Sequence, residues 1–311
     1  MKKPNFERCD AFVQQFESVA VQMGLPDTDA QFERLREQMR EYHAARREAG
    51  DGPATFLTGV DLGTACVVLA VLDENRQPVA GAYQYADVVR DGMVVDYMGA
   101  IQLVRTMKER LEEAMDAELY FAAAAIPPGT DTLDGGAVKN VTEAAGFEVT
   151  ALLDEPSAAN KLLGLTNGAI IDIGGGTTGI SILQDGHVVM TDDEPTGGTH
   201  VTLVVAGACR KSFEEAELYK RDVENHKVLF PIIRPVMEKM AVIIRDMLDD
   251  YEEEFMQTVD ELVLVGGTAC FTGLETELEK VLGIPTYKPK DPLFVTPLGI
   301  ALSCELEQDV E

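Results

Sequence analysis

Residues 169–183, A-I-I-D-I-G-G-G-T-T-G-I-S-I-L, constrain this chain more than any other stretch. The isoleucine-rich run reads as a buried strand. Asp172, three glycines and two threonines follow, and then a second β-branched run begins at Ile180. That pattern predicts strand, tight turn, strand. Glycines let a backbone approach a ligand closely, and successive N–H groups in such a turn form a nest for phosphate oxygens. The hydroxyls of Thr177 and Thr178 add donors, and Asp172, at its strand's end, is placed to hold a water of hydrated Mg²⁺. Positions 174–179 also spell G-x-G-x-x-G, the dinucleotide fingerprint, which requires a helix directly after it. Here I-S-I-L-Q-D-G-H-V-V follows, which reads as strand, Asp-Gly turn, strand. A Rossmann site is therefore excluded. The sequence has no G-x-x-x-x-G-K-[ST], so it is not a P-loop protein either. Taken alone, the stretch is equally a glycine-rich hairpin without a ligand.

An echo upstream shifts that balance. Residues 56–71 repeat the plan: apolar run, Asp61, Gly63, Thr64, apolar run. Two such hairpins predict two similar half-domains facing each other across a cleft. A triphosphate gripped from both sides would link their relative angle to its hydrolysis.

Composition narrows the ligand. A net charge of −28 over 311 residues argues against phosphate-backbone binding, which rests on clustered Lys and Arg, and against an anionic membrane surface. The five cysteines are scattered without a C-x-x-C pair, consistent with a reducing cytoplasm. Four dispersed histidines offer no zinc spacing. No signal peptide or long apolar span is expected.

Along the chain, residues 1–54 read as a helical hairpin extension. Phe12, Val13, Phe16, Val19, Ala20 and Met23 follow helical spacing, and Phe32, Leu35, Met39 and Tyr42 mark a second stripe. The favoured reading packs this hairpin on its own domain; the alternative makes it a docking helix for a partner. Residues 55–165 form the first half-domain, with strands at 56–62, 66–72, 79–85, 119–126 and 147–153 and helices near 98–116 and 134–145. Glu155, at the edge of the last strand, is either a helix-start acid complementing the dipole or a carboxylate orienting water onto a γ-phosphate. Residues 166–311 repeat the pattern with strands at 168–173, 178–184, 187–191 and 261–265. Gly197 and Gly198 open a helix whose free N-terminus can approach phosphate. Glu217 and Lys220 stand one turn apart, a spacing that also suits a plain surface ion pair. Gly266, Gly267 and Thr268 form a strand-to-helix turn suited to adenine or an α-phosphate. A long helix is expected near 232–253, and a closing helix begins at Pro297.

Several motifs stand in the order found in the actin, Hsp70 and sugar-kinase superfamily. V-D-L-G-T at 60–64 resembles its first phosphate loop and D-I-G-G-G-T-T at 172–178 its second. D-E-P-S-A-A at 154–159 and P-L-G-I-A-L at 297–302 resemble its connecting segments. L-V-G-G-T at 264–268 resembles its adenosine motif, and A-E-L-Y-K at 216–220 the A-E-x-x-K helix of Hsp70 relatives. A-D-V-V-R-D-G-M-V-V-D at 86–96, P-P-G-T-D at 127–131, G-G-T-H at 197–200 and Y-K-R at 219–221 resemble the ethanolamine-utilization EutJ family. That family is described as chaperone-like and is encoded with bacterial microcompartments.

The resemblance implies an α/β, actin/Hsp70-like ATPase fold. Two ribonuclease-H-like halves would flank a nucleotide cleft, with a reduced lid in the second half and the N-terminal helical extension added. It implies ATP/ADP and Mg as cofactors. Asp61 and Asp172 would position Mg²⁺ waters, and Glu155 the attacking water. Gly63, Thr64, Gly174, Gly175, Gly176, Thr177, Thr178, Gly197 and Gly198 would hold phosphates. Glu217, Lys220, Gly266, Gly267 and Thr268 would hold the nucleoside. Gly179 departs from the family, standing where Hsp70 proteins carry an acid near the metal, so hydrolysis is expected to be slow. Only residues 221–231 separate the A-E-x-x-K helix from the long helix, too few for the usual lid. No Hsp70-type peptide-binding domain is expected, so clients would be held differently. The implied function is a chaperone-like ATPase of the cytoplasm, assisting a microcompartment enzyme or shell protein, as a monomer or small oligomer, without nucleic acid or membrane. The alternative is a scaffold of the same fold that binds nucleotide weakly or not at all. A small-molecule kinase ranks last, because the insertions that build acceptor pockets are missing.

Overall fold

The apolar runs pair into two sheets that share one strand order. The computed structural model describes residues 4–90, 93–126 and 132–305. The first part of the chain supplies α1 (Glu7–Glu17), β1 (Ala20–Gln22), α2 (Thr28–Ala49), β2 (Leu57–Leu62), β3 (Cys66–Leu72) and β4 (Pro78–Tyr85). A small hairpin of β5 (Val89–Arg90) and β6 (Met93–Val94) follows, then α3 (Tyr97–Met115), β7 (Phe121–Ile126), α4 (Thr132–Ala144), β8 (Glu148–Asp154) and α5 (Glu155–Leu163). The second part supplies β9 (Gly168–Ile173), β10 (Thr178–Gln184), β11 (His187–Glu194), α6 (Gly198–Cys209), α7 (Phe213–Arg221) and α8 (His226–Phe255). It closes with β12 (Leu262–Val265), α9 (Leu274–Leu282), β13 (Thr286–Tyr287) and α10 (Val295–Leu302).

The first sheet runs β1-β4-β3-β2-β7-β8 and the second β11-β10-β9-β12-β13. Apart from the added edge strand β1, the two are the same arrangement: a central first strand, an antiparallel meander on one side and two parallel strands on the other. The first phosphate-type turn joins β2 to β3 and the second joins β9 to β10, so duplication puts the two turns in equivalent places. Short apolar runs bounded by glycine give the strands, and each central strand is buried on both faces, as parallel pairing requires.

Two separate cores fill the halves, and a third joins them. That third core is built from α1, α5, α10 and the facing sides of both sheets. Helices α5 and α10 cross within it at backbone contact. A Cβ built on Gly299 would lie 1.9 Å from the Ala158 carbonyl oxygen, and one on Gly59 of β2 would lie 2.6 Å from the Pro297 carbonyl oxygen. Helix α10, the last in sequence, thus packs on a sheet of the first half.

The N-terminal segment departs from the expected hairpin. Both helices form, but Val19, Ala20 and Met23 do not continue the first one. α1 stops at Glu17, and β1 pairs parallel with the free edge of β4, Ala20 opposite Gly81 and Gln22 opposite Tyr83. Unpaired strand edges attract such additions, and β-branched Val19 and Val21 suit a strand better than a helix. α2 packs on α3 through Phe32, Leu35 and Met39, with Arg110 bonded to Asp29 at 2.6 Å and stacked on Phe32. The segment therefore packs on the first half through β1 and α2, while α1 enters the core that joins the halves, where Asp10 accepts the Lys290 N–H at 2.9 Å. P-P-G-T-D at 127–131 and positions 91–92 lie outside the described residues.

Helix α8 also begins earlier than expected, at His226 rather than near 232. Pro231 and Pro235 suggest a boundary, since proline removes a helix hydrogen bond. The buried stripe of Leu229, Ile233, Met237, Met240, Ile244 and Met247 holds the helix through both. Only Asp222 and the three-residue turn Val223–Asn225 separate it from α7, so no lid subdomain stands there. Among the described residues no helix is long and apolar enough to cross a membrane.

Candidate functional site

Between the two halves lies a cavity of about 290 Å³. Asp61, Gly63 and Thr64 reach it from the first turn and Glu155 from the start of α5. Asp172, Gly174, Gly175, Gly176 and Thr177 reach it from the second turn. Glu217, Lys220, Gly266, Gly267 and Thr268 complete the set expected along its walls.

The two glycine turns touch. A Cβ on Gly175 would sit 2.7 Å from the Ala65 Cβ, so only glycine allows this approach across the cleft. The second turn closes on a bond from the Gly174 N–H to the Thr177 carbonyl at 3.0 Å. At Gly266 the chain takes φ +87°, and a Cβ there would meet Asp172 Oδ1 at 2.3 Å. The strand-to-helix turn therefore lies directly over the second aspartate.

Three expected ligand residues do other work. The Thr178 hydroxyl donates to the Thr196 carbonyl at 2.6 Å and is buried, facing away from the cavity. Gly197 and Gly198 pack on the second turn instead of lining the cleft. Cβ atoms there would lie 2.7 Å from the Gly175 oxygen and 2.4 Å from Thr268 Oγ1. The N–H groups of Gly198 and Thr199 donate to the Gly174 and Gly175 carbonyls at 3.0 and 2.8 Å. The start of α6 is therefore not a free anion site; it buttresses the turn. Thr268 adds to the same brace, its hydroxyl donating to the Gly174 carbonyl at 2.7 Å.

Glu217 and Lys220 do form the ion pair that their spacing suggests, at 2.6 Å, but inside the structure rather than on its surface. Lys220 Nζ also donates to Thr202 Oγ1 at 2.9 Å and to the Gly198 carbonyl at 3.3 Å, tying α7 to α6. Burial pulls the Lys220 amine below its ordinary range, against the pull of Glu217. Next to it, the Arg221 guanidinium stacks 3.5 Å from the centroid of the Tyr85 ring, joining α7 of one half to β4 of the other across the cavity. His226 is held between Thr272 and the Lys220 carbonyl. Its Nδ1 accepts the Thr272 N–H at 3.1 Å, so Nε2 carries the proton to the carbonyl at 3.0 Å. Burial holds its pKa down. Arg221 stands in the Y-K-R motif at 219–221, to which the sequence attaches no role, and His226 carries no motif signal.

The inner end of the cavity is strongly acidic. Burial, then the neighbouring Asp172 charge, pushes Asp61 up to about 7, although part of its surface still opens to the cavity. Burial raises Asp172 to about 6, opposed by the Thr296 hydroxyl, which donates to Oδ2 at 2.8 Å. Glu155 is pushed well above the ordinary carboxylate range by burial and then by Asp172, Asp61, Asp193 and Asp154. Asp193 was not foreseen; burial lifts it to about 7, opposed by a hydrogen bond from Thr177. Among the described residues no three His, Cys, Asp or Glu side chains converge to hold a metal directly. An all-oxygen wall of this kind suits a hydrated, hard cation bound through its waters.

Comparison with known proteins follows this geometry. The family model of the type IV pilus assembly protein PilM matches residues 143–290. The sequence is 44% identical over 246 residues to the ethanolamine utilization protein EutJ of Salmonella typhimurium, covering 79% of this chain and 84% of that protein. The chain belongs to the EutJ family. The crystal structure of EutJ from Carboxydothermus hydrogenoformans matches with a TM-score of 0.75 and 45% identity, covering 87% of this chain and 98% of that one. MreB5 of Spiroplasma citri bound to AMPPNP matches with a TM-score of 0.62 at 17% identity, covering 80% and 95%. The chaperone protein HscA homolog of Rickettsia peacockii is 28% identical over 237 residues, covering 66% of this chain and 39% of that protein. This chain thus has the actin/Hsp70-like ATPase fold.

Proposed function

We propose that this EutJ-family chain is a chaperone-like protein that binds Mg-ATP between its halves and hydrolyses it slowly. Its output would be a change in lobe angle passed to an enzyme or shell protein of a bacterial microcompartment. One observation carries the reading: two glycine turns of equivalent topology meet over a cavity whose inner end carries Asp61, Glu155 and Asp172. The kinship to HscA chaperones supports the chaperone-like part, and the AMPPNP-bound MreB5 neighbour supports nucleotide as the ligand.

The residues divide the work. Backbone N–H groups of the two turns would bind the β- and γ-phosphates, as anion nests do. Asp61 and Asp172 would hold metal waters, and Thr296 fixes the Asp172 carboxylate by its 2.8 Å bond. Mg²⁺, when bound, neutralises phosphate charge and relieves the repulsion among the acids. Glu155, at the N-terminus of α5, would orient a water for in-line attack. Burial and the neighbouring acids raise its basicity above that of an ordinary carboxylate, the direction that favours accepting a proton. Glu217, Lys220 and the turn at Gly266, Gly267 and Thr268 would border the nucleoside.

A second reading, a scaffold that binds nucleotide weakly, is favoured by two features. No lid subdomain stands between α7 and α8, and the α6 N–H groups are already spent on carbonyls. Calorimetric titration with Mg-ATP and Mg-ADP, followed by phosphate release, separates the two. Asp172→Ala should abolish binding; unchanged binding in that variant sinks the site assignment, and no binding by the native chain moves the conclusion to the scaffold.

A further inference from the structure

Gly179 lacks the acid expected beside a metal, yet the sheet supplies one from the next strand. Gly179 pairs with Asp172 of β9 on one side and with Asp193 of β11 on the other. Residues paired across a sheet project from the same face. Asp172, Gly179 and Asp193 therefore form one row, which starts from the cavity wall at Asp172. The equivalent row of the first half, Asp61, Val68 and Tyr83, has no second acid. We infer that Asp193 is a further outer-sphere metal-positioning residue, replacing in space the carboxylate that Gly179 lacks.

The dimensions agree. Each antiparallel pair sets its Cα atoms about 4.5–5.5 Å apart, so the two aspartate Cα atoms are about 10 Å apart. A hydrated Mg²⁺, with water oxygens at about 2.1 Å and hydrogen bonds of about 2.7 Å beyond them, spans about 9–10 Å between opposing carboxylate oxygens. With no side chain at 179, the floor between the two acids stays open. Asp193 Oδ1 is buried and, among the described residues, has no hydrogen-bond partner. Such a group calls for an unseen donor, and a metal-bound water is one.

A bulge decides which acid takes this place. The Asp185-Gly186 turn pairs Gln184 with His187 and Leu183 with Val188, a register that would bring Asp192 opposite Gly179. The irregularity between Ile182 and Leu183 shifts pairing by one residue, and Asp193 arrives instead. A one-residue slip moves every side chain to the other face, so the bulge puts Asp193 rather than Asp192 on the sheet face that carries Asp172.

This inference rests on the Mg-nucleotide reading. The test is ADP affinity by calorimetry in saturating Mg²⁺ and in EDTA, on the native chain, Asp193→Asn, Asp192→Asn and the double variant Gly179→Asp/Asp193→Asn. The ratio of the two affinities should fall about tenfold in Asp193→Asn, the usual scale for an outer-shell partner, with EDTA affinity unchanged. Asp192→Asn should keep the native ratio, and the double variant, which moves the carboxylate one strand along the row, should regain most of it. The double variant carries the same comparison if Asp193→Asn does not fold. A native ratio in Asp193→Asn overturns the inference alone, as does native binding that ignores Mg²⁺. No ADP binding by the native chain in either buffer overturns the nucleotide reading and this inference with it.

Discussion

Replacing Gly299 by alanine should damage this protein out of proportion to one methyl group. Gly299 sits where α10 crosses α5, and a Cβ there would lie 1.9 Å from the Ala158 carbonyl oxygen and 2.5 Å from its carbon. Ordinary contact begins near 3.4 Å, so the helices must part by roughly 1.5 Å, a large shift for a packed core. The obstacle is backbone, not the far end of a flexible side chain. Retreat is also blocked, because α10 already lies against Gly59 of β2, where a Cβ would be 2.5 Å from the Ala301 nitrogen. Overpacking costs about 1–3 kcal/mol where neighbours can give, and here neither side can, so a loss of about 3 kcal/mol or more is expected. For a chain of this size that lowers Tm by about 4–5 °C or more. Scanning fluorimetry and urea denaturation read it directly. A Tm within about 2 °C of native would refute the reasoning, since the crossing would then have room that this geometry denies.

Gly175→Ala places a methyl 2.7 Å from the Ala65 Cβ, between the halves rather than within one. It should prop the cleft open, weakening Mg-ADP at least severalfold by calorimetry while lowering Tm far less than Gly299→Ala; equal losses in both would count against it. The inner acids predict an inverted pH response. Asp61, Asp172 and Asp193 sit at about 7, 6 and 7 in the folded chain, above the ordinary carboxylate range of about 4. The folded state then holds more protons than the unfolded one across that window, so this contribution to stability falls as pH rises from about 4 to about 7. Asp172→Asn should flatten the curve, and parallel melting curves for native and variant from pH 4 to 7 would contradict it.

The duplicated hairpins, the glycine turns and Glu155 at its strand end were legible because each is local: a β-branched run, a breaker and a capping pattern within a few residues. Asp154 caps α5 through the Ser157 N–H at 2.8 Å, as D-E-P-S suggests. What escaped the sequence is set by partners far along the chain. β1 exists because β4 offers an edge. α8 runs through two prolines because its apolar stripe extends back to Leu229. Gly197 and Gly198 look like phosphate ligands, but their small size serves contact with another loop. Asp193 was hidden twice, once by lying beyond the expected end of β11 at 191 and once by a bulge that no spacing rule announces.

The order in which the chain leaves the ribosome gives the α10 crossing another meaning. Leu57, Val68, Ala70 and Leu72 of the first sheet belong to the core that α10 completes, and α10 is made of residues 295–302. During synthesis this apolar face has only α1 and α5 to pack on until more than two hundred further residues have been added. Domains ordinarily fold one after another from the N-terminus; here the first half cannot finish before the second has been made. Emergence of α10, not of the first half, is the event that lets the first sheet complete this core.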